Sequence, residues 1–233
     1  MTTADLRLAS HGFFVTGTDT GVGKTLIACA LLHAYAAAGK RVVGMKPVAA
    51  GAERSAEGLL NADVRLLRSA GSVDASLALM NPYCFEPPVA PHIAAEQAGV
   101  VIDLKRIGQA FAQLAAAADV VIVEGVGGFC VPLNGKEDTA DLAQHLALPV
   151  ILVVGMRLGC LNHALLTAQA VRGRGLKLAG WIANRIDPDM AVAVENIRAL
   201  AARLDAPLVG EIEFSASPDP ARIAALLDVA RLA

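Results

Sequence analysis

Along this chain, continuous runs of aliphatic and β-branched residues alternate with longer stretches in which Ala and Leu recur at helical spacing. Continuous apolar runs mark strands covered on both faces. Their alternation with helical stretches predicts an α/β fold, a mostly parallel β-sheet flanked by helices on both faces. The first strand falls at residues 12–16 and the first helix at 23–38, stopped by Gly39. A second strand at 41–45 delivers Lys46-Pro47 at its carboxyl end. Residues 49–58 read as a loop, 62–69 as a helix capped by Asn61, and 81–91, with four prolines, as an irregular excursion. A helix at 103–118, N-capped by Asp103, leads into the clearest buried strand, 119–125. There follow a helix at 139–146, a strand at 149–154, a helix at 162–172 and a strand at 176–183 ending at Asn184. The helix at 162–172 is entered through the turn Gly159-Cys160-Leu161, with Asn162 as its cap. A helix at 191–204, a short strand at 207–209 and a closing helix at 220–230 complete the chain. No repeat, low-complexity linker or charge block interrupts the pattern, so residues 1–233 are expected to form a single domain.

Composition narrows the class of partner. Apolar residues make up 55% and charged residues 18% of the 233, enough for a sizeable core. The net charge is −2, from 20 Lys and Arg against 22 Asp and Glu, which favours neither nucleic acid nor an acidic membrane as partner. No apolar run is long enough to span a bilayer. Residues 1–10 carry Asp5 and Arg7 without the apolar centre of a secretory signal. Cys29, Cys84, Cys130 and Cys160 are widely spaced and form no Cys-x-x-Cys pair. Four reduced thiols in a cytoplasmic protein is the expectation. The five histidines show no metal-ligand spacing.

The chemistry concentrates where strands end. Phe13-Phe14-Val15-Thr16-Gly17-Thr18-Asp19-Thr20-Gly21-Val22-Gly23-Lys24-Thr25 runs from a β-prone segment through a glycine-containing loop into an apolar helix. That is the layout of a phosphate-binding loop, a P-loop NTPase-like feature. Backbone N–H groups face phosphate oxygens, Lys24 adds a charge toward the outer phosphates, and Thr25 offers a hydroxyl to Mg²⁺. Thr18 stands where the usual pattern has a glycine, and Gly17 lies one place earlier. Glu124 ends a fully apolar strand, where a charge needs a partner. With Thr25 and Asp63 it makes a sufficient oxygen set for Mg²⁺. Asp63 also reads as a first-turn carboxylate favourable to the helix dipole, and Lys46 either as a second lysine that stabilises charge on a transferring group or as a solvated lysine at the sheet rim. Gly127-Gly128 permits close backbone approach to a ligand, or simply a tight turn. Gly159 to Asn162, before a helix, offers N–H groups to a carboxylate or a plain cap. In an open parallel sheet all of these converge on one edge.

The chain resembles the dethiobiotin synthetases over nearly its whole length. The resemblance rests on Val15 to Thr25, Lys46-Pro47-Val48, Asn61-Ala62-Asp63, Asn81-Pro82-Tyr83 and Pro91-His92. It continues through Val123-Glu124-Gly125-Val126-Gly127-Gly128, Leu148 to Val154, Leu158-Gly159-Cys160-Leu161-Asn162-His163 and Gly180-Trp181-Ile182-Ala183-Asn184. The displaced Gly17 is this family's form of the loop. The resemblance implies an ATP-dependent ligase of biotin synthesis acting on 7,8-diaminononanoate, CO₂ and MgATP through a carbamate and a carbamic-phosphoric mixed anhydride. It implies Lys24 and Lys46 as catalytic cations, with Thr25, Asp63 and Glu124 on Mg²⁺. Gly21, Val22, Gly23, Lys24, Thr25 and Leu26, with Glu124, Gly125, Val126 and Gly127, would border the phosphates. Asn184 and Arg185 would meet the adenine, with Glu213, Phe214 and Ser215 lining it. Lys46 and Ala50 would meet the substrate, and Gly159, Cys160 and Asn162 of the second subunit of a homodimer would hold its carboxylate.

Two departures stand out. Gly21 replaces an acidic residue found in some members, and Ala50 replaces a Ser or Thr whose hydroxyl often touches substrate. The second implies a modest rise in substrate KM. The alternative reading is an ATPase switch of the ParA or MinD type. Those proteins carry a signature Lys where Asp19 stands, and the closing segment here has little cationic content.

Overall fold

Six apolar runs pair edge to edge into one parallel sheet. The structure is a computed structural model describing residues 12–56 and 58–232. The strands are β1 (Gly12–Gly17), β2 (Val42–Met45), β7 (Val120–Glu124), β8 (Val150–Met156), β9 (Leu178–Arg185) and β10 (Leu208–Ile212), in the order β10-β9-β8-β1-β7-β2. Between β2 and β7 lie the short strands β3 (Val48–Ala49), β4 (Glu53–Ser55), β5 (Gly58–Leu60) and β6 (Tyr83–Cys84). The helices are α1 (Lys24–Ala37), α2 (Ala62–Ala70), α3 (Leu77–Met80), α4 (Pro91–Gln97), α5 (Leu104–Ala117), α6 (Thr139–Leu146), α7 (Cys160–Gly173), α8 (Ala193–Ala201) and α9 (Pro220–Ala224).

The pleat explains the continuous runs. Phe13 and Val15 of β1, Ile122 of β7 and Ile151 and Val153 of β8 join the core formed with Ile27, Leu31 and Leu32 of α1 and Leu67 of α2. Their neighbours Phe14, Val121, Val123, Val150, Leu152 and Val154 point the other way. There they meet Ile107 and Leu114 of α5, Leu142 of α6 and Val171 of α7. Period-two alternation thus feeds two cores, one per face, and the sheet's few buried polar positions, Thr16, Glu124 and Asn184, fall toward the carboxyl ends of their strands. Asp138 and Asp141 form a capping box at α6, and both pair with Arg174 just past α7.

Some segments differ from the sequence expectation. Residues 49–58, read as a loop, begin with the end of β3 and contribute to the antiparallel hairpin β4–β5. The proline-rich excursion holds β6, paired in parallel with β3, and its last proline opens α4. Pro at the first helical position loses no hydrogen bond, because that N–H has no intrahelical acceptor. Asn162 is not a cap: α7 begins at Cys160, capped by Gly159 in the left-handed region (φ 93°). The closing segment is α9 followed by a 3-10 turn at Val229–Leu232 rather than one helix. Asn61 and Asp103 cap α2 and α5 as expected, each accepting a backbone N–H at 2.9 Å. Residues 1–10, read as lacking a signal, lie outside the described residues.

β1 sits at the middle of the sheet between β7 and β8, so the chain leaves its carboxyl end at a point where successive crossovers run to opposite sides. Open α/β sheets bind ligands in the crevice at such a switch point.

Candidate active site

The loop Thr18–Gly23 leaves β1 and turns directly into α1. Its shape is held from β8, where Val153 O accepts from Thr18 N at 3.0 Å. It is held also from β9, where Asn184 Nδ2 donates to Val22 O at 2.9 Å. Gly23 caps α1 with φ 91°, and a Cβ there would lie 2.3 Å from Asn184 Nδ2, so this position needs glycine twice over. Lys24 Nζ donates to Asp19 O at 2.9 Å and curls back across the loop. Asp19 also pairs with Arg157 at 2.5 Å.

Across the cavity stands a cluster of charges. Lys46 leaves β2 and places Nζ 2.5 Å from Glu124 Oε1 and 2.9 Å from Asp63 Oδ2, donating also to Gly125 O at 3.2 Å. Thr25 Oγ1 donates to the same Glu124 Oε1 at 2.9 Å. The parallel pairing of β2 and β7 sets Met45 opposite Val123, so Lys46 and Glu124 emerge side by side. Glu124 is 1% exposed, and its Oε2 has no hydrogen-bond partner. A buried carboxylate oxygen left unpaired is costly unless something else meets it.

The electrostatics follow from burial and proximity. Burial pushes Glu124 up, ahead of the opposing pull of Lys46, and Asp63 adds to the rise. Burial acts to lower Lys46, but the carboxylates of Glu124 and Asp63 outweigh it and hold the ammonium charged. For Asp63 burial acts upward, and the contacts with Lys46 reverse it. Lys24 is pushed down to about 8, first by burial and then by the Lys46 ammonium.

The cavity of about 790 Å³ between these groups is lined by Asp19 to Gly21, Gly23 to Thr25, Lys46, Ala49, Ala50, Asn61, Asp63, Pro88 to Pro91, Glu124, Val126 to Gly128 and Val131. A larger groove, about 1010 Å³, lies at the amino ends of the strands near Phe13, Tyr35, Lys40 and Asp119, away from the phosphate loop. Of the candidate residues, Gly21, Gly23, Lys24, Thr25, Lys46, Ala50, Asp63, Glu124, Val126 and Gly127 line the first cavity, and the others do not. Val22 is fully buried in the core beside α1, leaving only its backbone for a ligand, and Leu26 packs partly against the same core. Arg185 pairs with Glu211 at 2.5 Å and Glu213 at 3.0 Å beyond the loop, near the exposed Phe214 and Ser215. Gly159, Cys160 and Asn162 lie outside the cavity, at the start of α7. The wall from Pro88 to Pro91 and the side chain of Asn61 were not singled out as site groups from sequence. Four prolines within eleven residues are a signal for a stiff wall.

The donor set is all oxygen: a hydroxyl and two carboxylates. Among the described residues no group of three or more His, Cys, Asp and Glu side chains forms a metal site. Mg²⁺ needs no such group, since it keeps waters and shares phosphate oxygens beside one or two carboxylates.

Known proteins match this chain closely. The AAA domain family matches residues 11–222. The ATP-dependent dethiobiotin synthetase BioD of Aromatoleum aromaticum is 61% identical over 217 residues, 93% of this chain and 96% of its own length. That of Nitrosospira multiformis is 58% identical over 221 residues, 95% of this chain and 96% of its own. Among solved structures, the MinD cell division protein of Aquifex aeolicus superposes with a TM-score of 0.54 at 19% identity, covering 89% of this chain and 84% of its own. MinD of Pyrococcus horikoshii, complexed with Mg-ADP, gives 0.51 at 17% identity, covering 94% and 88%. At such identities the likeness is one of fold.

Proposed function

This chain belongs to the ATP-dependent dethiobiotin synthetases, and from that membership we propose that the cavity at the carboxyl edge of its sheet is where a urea ring is closed on 7,8-diaminononanoate. One domain carries the whole chemistry, apart from the contribution of a second subunit. An amine of the substrate takes up CO₂ and loses a proton, giving a carbamate. A carbamate oxygen attacks the γ-phosphorus of ATP and ADP leaves. The second amine attacks the carbonyl carbon of the mixed anhydride, the C–O bond to phosphate breaks, and the cyclic urea and inorganic phosphate are released. Two anions must be brought together, so positioning and neutralisation are the main tasks of the protein.

The observation that carries this reading is the meeting of Lys24, Lys46, Thr25, Asp63 and Glu124 around one cavity. Lys24, lodged in the phosphate loop, neutralises the outer phosphates. Lys46, on the opposite side, faces both the carbamate and the transferring group. Thr25, Asp63 and Glu124 fit Mg²⁺, and the unpartnered Glu124 Oε2 is the group most in need of a cation. Bound there, Mg²⁺ would neutralise the charge spread over the phosphate oxygens. Backbone of Gly21 to Leu26 and of Gly125 to Gly127 borders the phosphates. The adenine end falls to Asn184, Arg185 and Glu213 to Ser215, grouped at the carboxyl ends of β9 and β10.

The substrate carboxylate is held at the start of α7 by Gly159, Cys160 and Asn162 of a second subunit in a homodimer. In support, these residues lie outside the cavity of their own chain, and the adjoining Leu158 is 96% exposed. Ala50 lines the cavity without a hydroxyl. Ala50→Ser is expected to lower the diamine KM several-fold, as one neutral hydrogen bond is worth about 1 kcal/mol. An unchanged KM would remove Ala50 from the substrate contacts. The switch reading gains no support at Asp19, a carboxylate paired with Arg157 where those proteins carry a signature lysine.

The test is direct. Purified protein is incubated with 7,8-diaminononanoate, bicarbonate, Mg²⁺ and ATP, and the cyclic urea is sought by mass spectrometry beside released phosphate. Both are expected, and both are expected to vanish with Lys24→Ala. Hydrolysis of ATP without urea would overturn the substrate assignment.

A further inference from the structure

We infer that Asn61 is a positioning residue that ties the substrate-side turn at Ala50–Gly51 to the cation-side carboxylate Asp63. The inference deepens the reading above and rests on it for the identity of the substrate. As a helix cap Asn61 needs only one half of its amide: Oδ1 accepts from Asp63 N at 2.9 Å. The other half is spent elsewhere. Nδ2 donates to Ala50 O at 3.0 Å, with Gly51 O at 3.5 Å. The side chain therefore bridges two segments eleven residues apart, and both border the same cavity.

The Ala50–Gly51 peptide is clamped at both of its ends. Its carbonyl receives Asn61 Nδ2, and its N–H donates to Pro87 O at 3.2 Å, within the proline-rich segment that forms the far wall. Asn61 itself is 8% exposed, so the bridge is shielded from competing water. On the other side, Asp63 has its backbone held by Asn61 while its carboxylate contacts Lys46. A shift of the Ala50 turn would thus reach Asp63 and Lys46 through a single side chain. No other common side chain of this length offers an acceptor for a helix start and a neutral N–H donor for a carbonyl together.

Capping and bridging can be separated. Serine is a good N-cap but too short to reach Ala50 O, and it adds no charge. Asn61→Ser, which keeps the cap and loses only the bridge, should lower the melting temperature less than Asn61→Ala, which loses both bonds. With Asn61→Ser the diamine KM should rise roughly 3- to 10-fold, the worth of one buried neutral hydrogen bond, with the ATP KM changed by less than about 2-fold. Amide hydrogen exchange supplies a readout without substrate. Exchange at Gly51 should quicken in Asn61→Ser, while Arg65, whose N–H donates to Asn61 O in the first turn of α2, keeps its protection. Unchanged exchange at Gly51 would overturn the bridge. Faster exchange with both KM values unchanged would overturn its role in positioning substrate. A parent protein that makes no cyclic urea would overturn the proposed function instead, and the exchange result would still decide the bridge.

Discussion

Lys46 is asked to be two things. In the structure it is the counter-ion of Glu124, and in the proposed reaction it serves the carbamate and the γ-phosphate. Removing one member of a buried pair strands the other and typically costs about 3–5 kcal/mol. Lys46→Gln should therefore lower the melting temperature of the ligand-free protein. Mg²⁺ should then stabilise the variant more than the parent, since the stranded carboxylates can take a cation unopposed. Urea formation should fall roughly 10²- to 10³-fold, as when one preorganised charge-stabilising donor is removed. Thermal melts with and without Mg²⁺, set beside turnover, check this; equal Mg²⁺ effects in both proteins would separate Lys46 from the cation ligands. Lys46 and Glu124 were legible in the sequence because a charge at the end of an apolar run is a local anomaly. The second bond of Asn61 was not, because its acceptor lies across a hairpin that the side-chain pattern does not announce.

At the scale of the element, β8 supports the phosphate loop and α1 carries it into the core. A Cβ on Gly155 of β8 would lie 2.7 Å from both Val22 Cγ1 and Ile186 Cδ1. Gly155→Ala should destabilise by about 1–3 kcal/mol through overpacking and raise the KM for ATP by displacing Val22. A variant with parental ATP KM would show that the loop is held from elsewhere. On α1, Tyr35 stacks on Phe13 of β1 with ring centroids 6.1 Å apart. Burial pushes its phenol up to about 12. An acid whose pKa is raised by folding stabilises below its unfolded value, near 10, and loses that contribution as pH rises through its folded value. Partial exposure reduces the effect to about 1–2 kcal/mol. Denaturant unfolding at pH 9 and at pH 11.5 should show a smaller alkaline loss in Tyr35→Phe than in the parent. An equal loss would place the alkaline sensitivity in other groups. The long elements were legible from period and caps, whereas β3 to β6 were not. These are two or three residues long, and their pairing rather than their composition makes them strands.

Across the whole molecule, the substrate-carboxylate residues are assigned by the proposal to a second subunit, and that assignment is open to test. Leu158, nearly fully exposed beside Gly159, is expected to lie in that interface. Leu158→Glu should shift the protein toward monomer in gel filtration and weaken diamine-dependent turnover, with ATP binding retained. A parent that runs as a monomer at working concentration would overturn the shared carboxylate site. A dimer with unaltered turnover in the variant would move the interface elsewhere. Among the described residues no helix is long and apolar enough to cross a membrane.

The division between sequence and tertiary structure follows the range of the forces. Covered strands, the caps at Asn61 and Asp103, the phosphate loop and the anomalous charges at strand ends are local, set by side-chain period and by backbone groups within a few residues, and the sequence by itself determined them, whereas the cap of α7 fell to Gly159 rather than Asn162. The order β10-β9-β8-β1-β7-β2 depends on which apolar edges pair at a distance, and only the folded chain decided it. That order brings Glu124 beside Lys46, while the separate pairings of β3 with β6 and of β4 with β5 bring the proline-rich wall to the cavity and turn a helix cap at Asn61 into a bridge.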